Sequence, residues 1–294
     1  MAPFFDRRTF LLGSAAAVGI AACGGSSSTG EAGGPVPDRL AVRFPDGLRA
    51  PSVAVSGSGE QRFPFVIVAD DGLPMVSNTP ESIDIDVLFG GELLDTFTVP
   101  AGGVGQFVPY YPLTFTPPEP GPYIARTAFS DLDVEFLVVE RNQTTLWQVG
   151  ETIPGFDTPT FDDARGVEPI CTRAGEACAF HEITLNEALS NGRPTALLIS
   201  TPAFCQTDVC GPSLEDLIDA TAGRDDINII HQEVYADFNR DIADGSLPEV
   251  APLIADWQLD FEPSLFVIDS DATLVDARHF AFDKAETEEL ISLI

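Results

Sequence analysis

The spacing of apolar residues changes once along this chain. From residue 40 to 140 apolar and polar positions tend to alternate, as in residues 63–69 (FPFVIVA), 83–89 (IDIDVLF), 123–129 (YIARTAF) and 134–139 (VEFLVV). Period-two patterning over four to eight residues marks half-buried strands. Turn-forming clusters separate these runs: Asp70-Asp71-Gly72, Gly90-Gly91, Ala101-Gly102-Gly103 and residues 117–122 (PPEPGP). No helical period appears, so residues 38–143 read as seven or so short strands of a β-sandwich. The run Ile83-Asp84-Ile85-Asp86 reads as a strand with one wet face.

After a polar joint at residues 141–145 the pattern changes. Thr184-Leu185-Asn186-Glu187 is a capping box, and the helix it opens should end near Asn191-Gly192. Residues 195–200 (TALLIS) form a buried strand. Pro212 suits a first helical turn, and Leu214, Leu217 and Ile218 give that helix an apolar face. Residues 228–235 predict a second strand, 248–257 a helix, 264–269 and 273–280 a hairpin, and Asp283 the cap of a last helix. The order is helix, strand, helix, strand, helix, strand, strand, helix, an α/β domain over residues 147–294.

The formal charge of −31 argues against nucleic acid as a partner and against docking on anionic lipid through a basic patch. A solvated acidic surface accounts for it. The N-terminus adds a different kind of information. Arg7-Arg8-Thr9-Phe10-Leu11-Leu12, a short apolar run to Ala22 and then Ile20-Ala21-Ala22-Cys23 follow one another. The arginine pair resembles the twin-arginine export signal, and the tetrapeptide resembles the lipobox of bacterial lipoproteins. The resemblance implies that residues 1–22 are a signal peptide and that Cys23 carries the lipid. It also places the protein in the cell envelope, anchored to the membrane. Residues 23–37, rich in glycine and serine, read as a flexible tether.

With Cys23 set aside, four cysteines remain in two close pairs, Cys171 with Cys178 and Cys205 with Cys210. An exported protein with an even remainder favours disulfides. Cys205 and Cys210 sit between the buried strand and the helix that follows it. The C-terminal half resembles the thioredoxin and peroxiredoxin superfamily in three places. These are the entry segment Val149-Gly150 to Pro154-Gly155-Phe156, the cysteine pair at the head of its helix, and Glu262-Pro263-Ser264 before the hairpin. The resemblance implies a thioredoxin-like fold, a cis-proline at Pro263 facing the sulfurs, and redox cysteines at 205 and 210. This sequence departs from the family in having four residues between the cysteines instead of two, and Phe204 where tryptophan is usual. The segment around Gly121-Pro122-Tyr123 resembles the penultimate strand of immunoglobulin-like domains, where a tyrosine anchors a corner.

Residues five apart on a helix point about 140° away from each other. A Cys205–Cys210 bond therefore needs a loop between them, with the helix starting only at Pro212. In one reading Cys205 attacks a partner and Cys210 resolves the mixed disulfide; in the other the pair is a permanent staple. Asp208, Glu215, Asp216 and Glu262 oppose thiolate formation wherever they come near. Cys171 and Cys178 bracket an irregular segment and read as a structural loop disulfide, with exchange between the two pairs as the alternative.

No metal and no cofactor are expected. His181, His231 and His279 show no ligand-like spacing to the cysteines, which weighs against a copper chaperone. Phosphate-binding, zinc-protease, serine-hydrolase and calcium-loop motifs do not occur. The sequence thus predicts an anchored thiol–disulfide exchange protein acting on envelope proteins. The alternative is a non-enzymatic envelope scaffold whose disulfides are all structural.

Overall fold

The computed structural model describes residues 39–42, 59–69, 72–205, 208–246 and 248–294. Arg7-Arg8, Cys23 and the tether at 23–37 lie outside the described residues.

Seven strands make two antiparallel sheets in the first half. One has the order β1-β2-β5, from β1 (Arg39–Val42), β2 (Gln61–Val68) and β5 (Tyr111–Phe115). The other has the order β4-β3-β6-β7, from β3 (Ser82–Phe89), β4 (Glu92–Pro100), β6 (Gly121–Arg126) and β7 (Val134–Val138). Along β3, Ile83, Ile85 and Val87 are buried. Asp84 and Asp86 turn to the other face, where each accepts a 2.6 Å hydrogen bond, from Thr98 and Thr96 respectively. That is the wet face expected from the alternation. The buried faces of the two sheets meet through aromatic rings. Phe63 of β2 packs on Phe136 of β7 with centroids 4.7 Å apart, and Phe115 of β5 lies 5.8 Å from Tyr123 of β6. The Tyr123 hydroxyl donates to the Glu119 carbonyl at 2.6 Å, pinning the turn before β6.

In the second half β8 (Thr195–Ile199) runs parallel to β9 (Asn228–Gln232) and antiparallel to β10 (Ser264–Ile268). β11 (Leu274–His279) closes a hairpin with β10, giving the order β11-β10-β8-β9. Every residue of β8 and β10 is buried, because helices cover both faces of the sheet. On one face α2 (Cys210–Ala220) and α5 (Lys284–Ile291) pack through Leu214, Leu217, Leu290 and Ile291. On the other lie α1 (Leu185–Ala188) and α4 (Pro252–Trp257), through Leu185, Ile254 and Trp257.

Several elements differ from the sequence reading, β9 among them, which ends at Gln232 and not at 235. The capping box forms, with Thr184 accepting from the Glu187 amide, but α1 is a single turn. α4 starts at Pro252 rather than near 248, since a proline is best tolerated in the first turn. A short helix, α3 (Phe238–Ala243), was not expected; the Asp237 side chain caps it by accepting from the Arg240 amide at 3.0 Å.

The two halves touch through a polar cluster beside a small apolar patch. Arg62 of β2 pairs with Glu286 of α5 at 2.7 Å and donates to the Ala281 carbonyl at 2.5 Å. The Tyr110 hydroxyl donates to the same Glu286 carboxylate and accepts from the Asp283 amide. Gly103 N–H donates to Asp283 at 2.9 Å. The apolar patch joins Val66, Val68 and Tyr110 to Val209 and Ala281. Val209 directly precedes Cys210, so the sandwich leans on the segment that carries the disulfide.

Candidate functional site

β8 delivers the chain to the cysteine loop. Thr201, just past its end, is buried and its Oγ1 accepts from the Val234 amide at 2.9 Å. Ala203 N–H donates to Thr172 Oγ1 at 3.1 Å. Phe204 stacks on Phe238 of α3 with ring centroids 4.1 Å apart. The unexpected helix α3 therefore supplies the platform for the residue before Cys205.

Cys205 and Cys210 are joined as a disulfide, with Cα atoms 6.0 Å apart. Helix α2 starts at Cys210, two residues before the expected Pro212. Asp208, next to the cap residue Val209, takes a left-handed conformation at φ 55°. Pro212 is accommodated in the first turn, where its missing N–H has no helical acceptor. The two sulfurs differ in environment: Cys205 is half-buried and Cys210 is fully buried.

The Glu262–Pro263 peptide bond is cis, as the resemblance implied, and leads directly into β10. It carries Glu262 to the disulfide, with Oε2 3.5 Å from Cys210 Sγ. Glu262 is thus one of the four carboxylates expected to oppose a thiolate, and it touches a sulfur. Glu215 pairs with Arg173 at 2.6 Å, and Asp216, whose pKa is raised by burial, accepts from Gln106 at 2.5 Å.

The second pair corrects the expectation. Cys171 and Cys178 are not bonded: their sulfurs stand 3.9 Å apart, against the ~2.05 Å of a disulfide. Both are buried, and two buried histidines join them. His231 Nδ1 is 3.7 Å from Cys171 Sγ and 3.6 Å from Cys178 Sγ, while His181 Nε2 is 3.5 Å from Cys178 Sγ. The hydrogen bond from Cys178 holds the Cys171 thiol well below its ordinary pKa and pushes that of Cys178 up. The third histidine, His279, belongs to neither pair. It bonds Ser264 Oγ at 2.9 Å, and burial together with Arg62 and Arg278 pushes its pKa down to about 3.

Sequence spacing missed this cluster for a physical reason. Cys178 and His181 are three apart in an irregular segment, and His231 is fifty residues further on in β9. Only the pairing of that segment with β9, through the His231 amide and the Phe180 carbonyl at 3.0 Å, brings them together.

A sheet ordered β11-β10-β8-β9, with a helix crossing from β8 to β9, a cis-proline entering β10 and a disulfide at the head of the crossover helix, is a thioredoxin-like arrangement. Solved structures similar to this chain include a thiol:disulfide interchange protein of the thioredoxin family from Chlorobium tepidum. It has 14% identity over 50% of this chain and 98% of its own, with a TM-score of 0.31. StoA from Bacillus subtilis has 13% identity over 48% of this chain and 98% of its own, with a TM-score of 0.30. The pneumococcal exposed lipoprotein thioredoxin Etrx1 from Streptococcus pneumoniae has 19% identity over 36% of this chain and 90% of its own, with a TM-score of 0.27. No protein-family model and no curated protein sequence matches the chain.

Proposed function

We propose that this protein carries out thiol–disulfide exchange on proteins of the cell envelope, with Cys205 as the attacked and attacking sulfur and Cys210 as the resolving one. The observation that carries the reading is the difference in burial across one disulfide at a helix head. A partner can reach half-buried Cys205, whereas fully buried Cys210 is shielded from one.

In the oxidised form, a partner thiolate attacks Cys205 Sγ, the Cys205–Cys210 bond breaks, and Cys210 leaves as a thiolate. A second partner thiolate then attacks the mixed disulfide, releasing Cys205. The partner gains a disulfide, and the two electrons remain on the reduced pair. The reverse sequence reduces a partner disulfide, with an external dithiol restoring the reduced pair. The amides at the start of α2 stabilise a thiolate there, and the Glu262 carboxylate opposes one on Cys210 and stands ready to accept its proton. The Glu262–Pro263 turn meets the disulfide through the Glu262 side chain, and an extended partner segment would lie along it.

The rest of the reading follows the sequence. The first half is an immunoglobulin-like sandwich, supported by its seven strands in two sheets and by the Tyr123 corner. Residues 1–22 direct export through the twin-arginine route, and lipid on Cys23 anchors the chain. Among the described residues no helix is long and apolar enough to cross a membrane.

The test is trapping. The Cys210→Ser variant, displayed on cells, should accumulate mixed disulfides through Cys205 that dissolve on reduction. A Cys205–Cys210 couple well below about −300 mV together with no trapped partner would instead make the bond a permanent staple.

A further inference from the structure

We infer that Cys171, Cys178, His181 and His231 form a structural zinc site, a second cysteine centre independent of the disulfide. The four ligand atoms all lie within 4.8 Å of one another, and all four residues are buried. With zinc–sulfur bonds of about 2.3 Å and zinc–nitrogen bonds of about 2.0–2.1 Å, a tetrahedral site has edges of roughly 3.8 Å between sulfurs and roughly 3.6 Å between sulfur and nitrogen. The corresponding distances here are 3.9 Å between the sulfurs and 3.5–3.7 Å for three of the four sulfur–nitrogen edges, with the remaining edges within 4.8 Å. Two thiolates and two neutral imidazoles also balance the charge of a divalent ion, which a buried site requires.

The surroundings are those of a ligand set. His231 Nε2 lies 3.1 Å from the Ser200 carbonyl, and by donating its proton there it leaves the Nδ1 lone pair facing the sulfurs. The Cys178 amide points at Cys171 Sγ at 3.5 Å, a donor suited to a coordinated thiolate. His181 meets the cluster through Nε2 alone; its Nδ1 is buried without a hydrogen-bond partner. Four protein ligands close the coordination sphere, so the metal braces the fold and takes no substrate. The chain segments it ties are those that position Cys205. Ser200 follows β8, and Thr172, next to Cys171, accepts the Ala203 amide two residues before Cys205.

Metal analysis of the full-length protein, purified without chelator, tests this. One zinc per chain is expected, unchanged in a Cys205→Ser/Cys210→Ser variant and lost in Cys178→Ser. Since Cys178→Ser could fail to fold, the wild-type protein is also stripped with chelator and titrated with cobalt(II) alone. The visible d–d bands of tetrahedral cobalt and a sulfur-to-cobalt charge-transfer band should saturate at one equivalent and be bleached by zinc. Absence of zinc together with no cobalt–thiolate spectrum would overturn the assignment. So would uptake of copper(I) in place of zinc, or peptide mapping that finds Cys171 and Cys178 disulfide-linked in the native protein. Because the double variant lacks the exchange pair, failure of the zinc site and failure of the exchange reading are separately visible.

Discussion

The thioredoxin-like half holds two cysteine pairs that look alike in sequence and differ in every physical respect. Cys205 and Cys210 are joined, one sulfur half-buried, with a carboxylate against the other. Cys171 and Cys178 stand apart, both buried, with two imidazoles aimed at them. Spacing within the pair does not separate the cases. What separates them is the third and fourth side chain that the fold delivers. A sulfur pair faced by nitrogen lone pairs suits a metal, whereas a bonded pair at a helix head with one half-buried sulfur suits the exchange proposed above.

The largest effect that would sharpen this contrast is on exchange itself. Cys205→Ser should abolish disulfide exchange in an insulin-reduction or scrambled-substrate assay. Cys171→Ser should leave the Cys205–Cys210 bond able to form, as read by thiol counting under native conditions. Equal loss in both variants would erase the distinction between the pairs.

Next comes metal removal. At free zinc a thousandfold above its dissociation constant, a single site stabilises the folded chain by about 4 kcal/mol. Stripping it should lower Tm by about 8–16 °C in a domain of this size. Calorimetry with and without chelator measures this, and the drop should be absent from Cys178→Ser.

A third variant separates the pairs through the domain contact. Arg62→Met leaves the Glu286 carboxylate without its closest cation at a largely buried site, at a cost of about 3 kcal/mol. Because the first half touches Val209, next to Cys210, the reduced Cys205–Cys210 pair should alkylate faster in this variant while zinc content stays at one per chain. The smallest effect concerns Glu262. Replacing it with glutamine removes a negative charge 3.5 Å from the Cys210 sulfur, so the Cys210 thiol in the reduced protein should ionise more readily. The pH profile of alkylation in Cys205→Ser reads this directly.

Much of this fold was legible from local patterns. The alternation in residues 83–89 marked β3 and its wet face, Tyr123 marked a pinned corner, and Pro263 marked the entry to β10. Each of these signals is local, or carried by one residue with strong backbone preferences. α3 escaped notice because its six residues are held by an Asp237 cap and by Phe238 stacking on Phe204, not by an apolar repeat. The close cysteine pair is legible, but α2 begins two residues before Pro212, because a proline fits anywhere in a first turn and does not fix its first residue. The metal cluster was not legible at all. Its members come from a segment without periodicity and from the middle of a strand, and sheet pairing alone sets their distance.

β9 is the last strand of its sheet, and its outer side would present unpaired backbone groups to any passing strand. The segment holding Cys178 and His181 lies along that side and takes the His231 amide through the Phe180 carbonyl. A metal fastening this segment to β9 would thus act as a guard against self-association as well as a brace. Chains deprived of zinc should begin to aggregate through an exposed sheet margin before the rest of the domain melts.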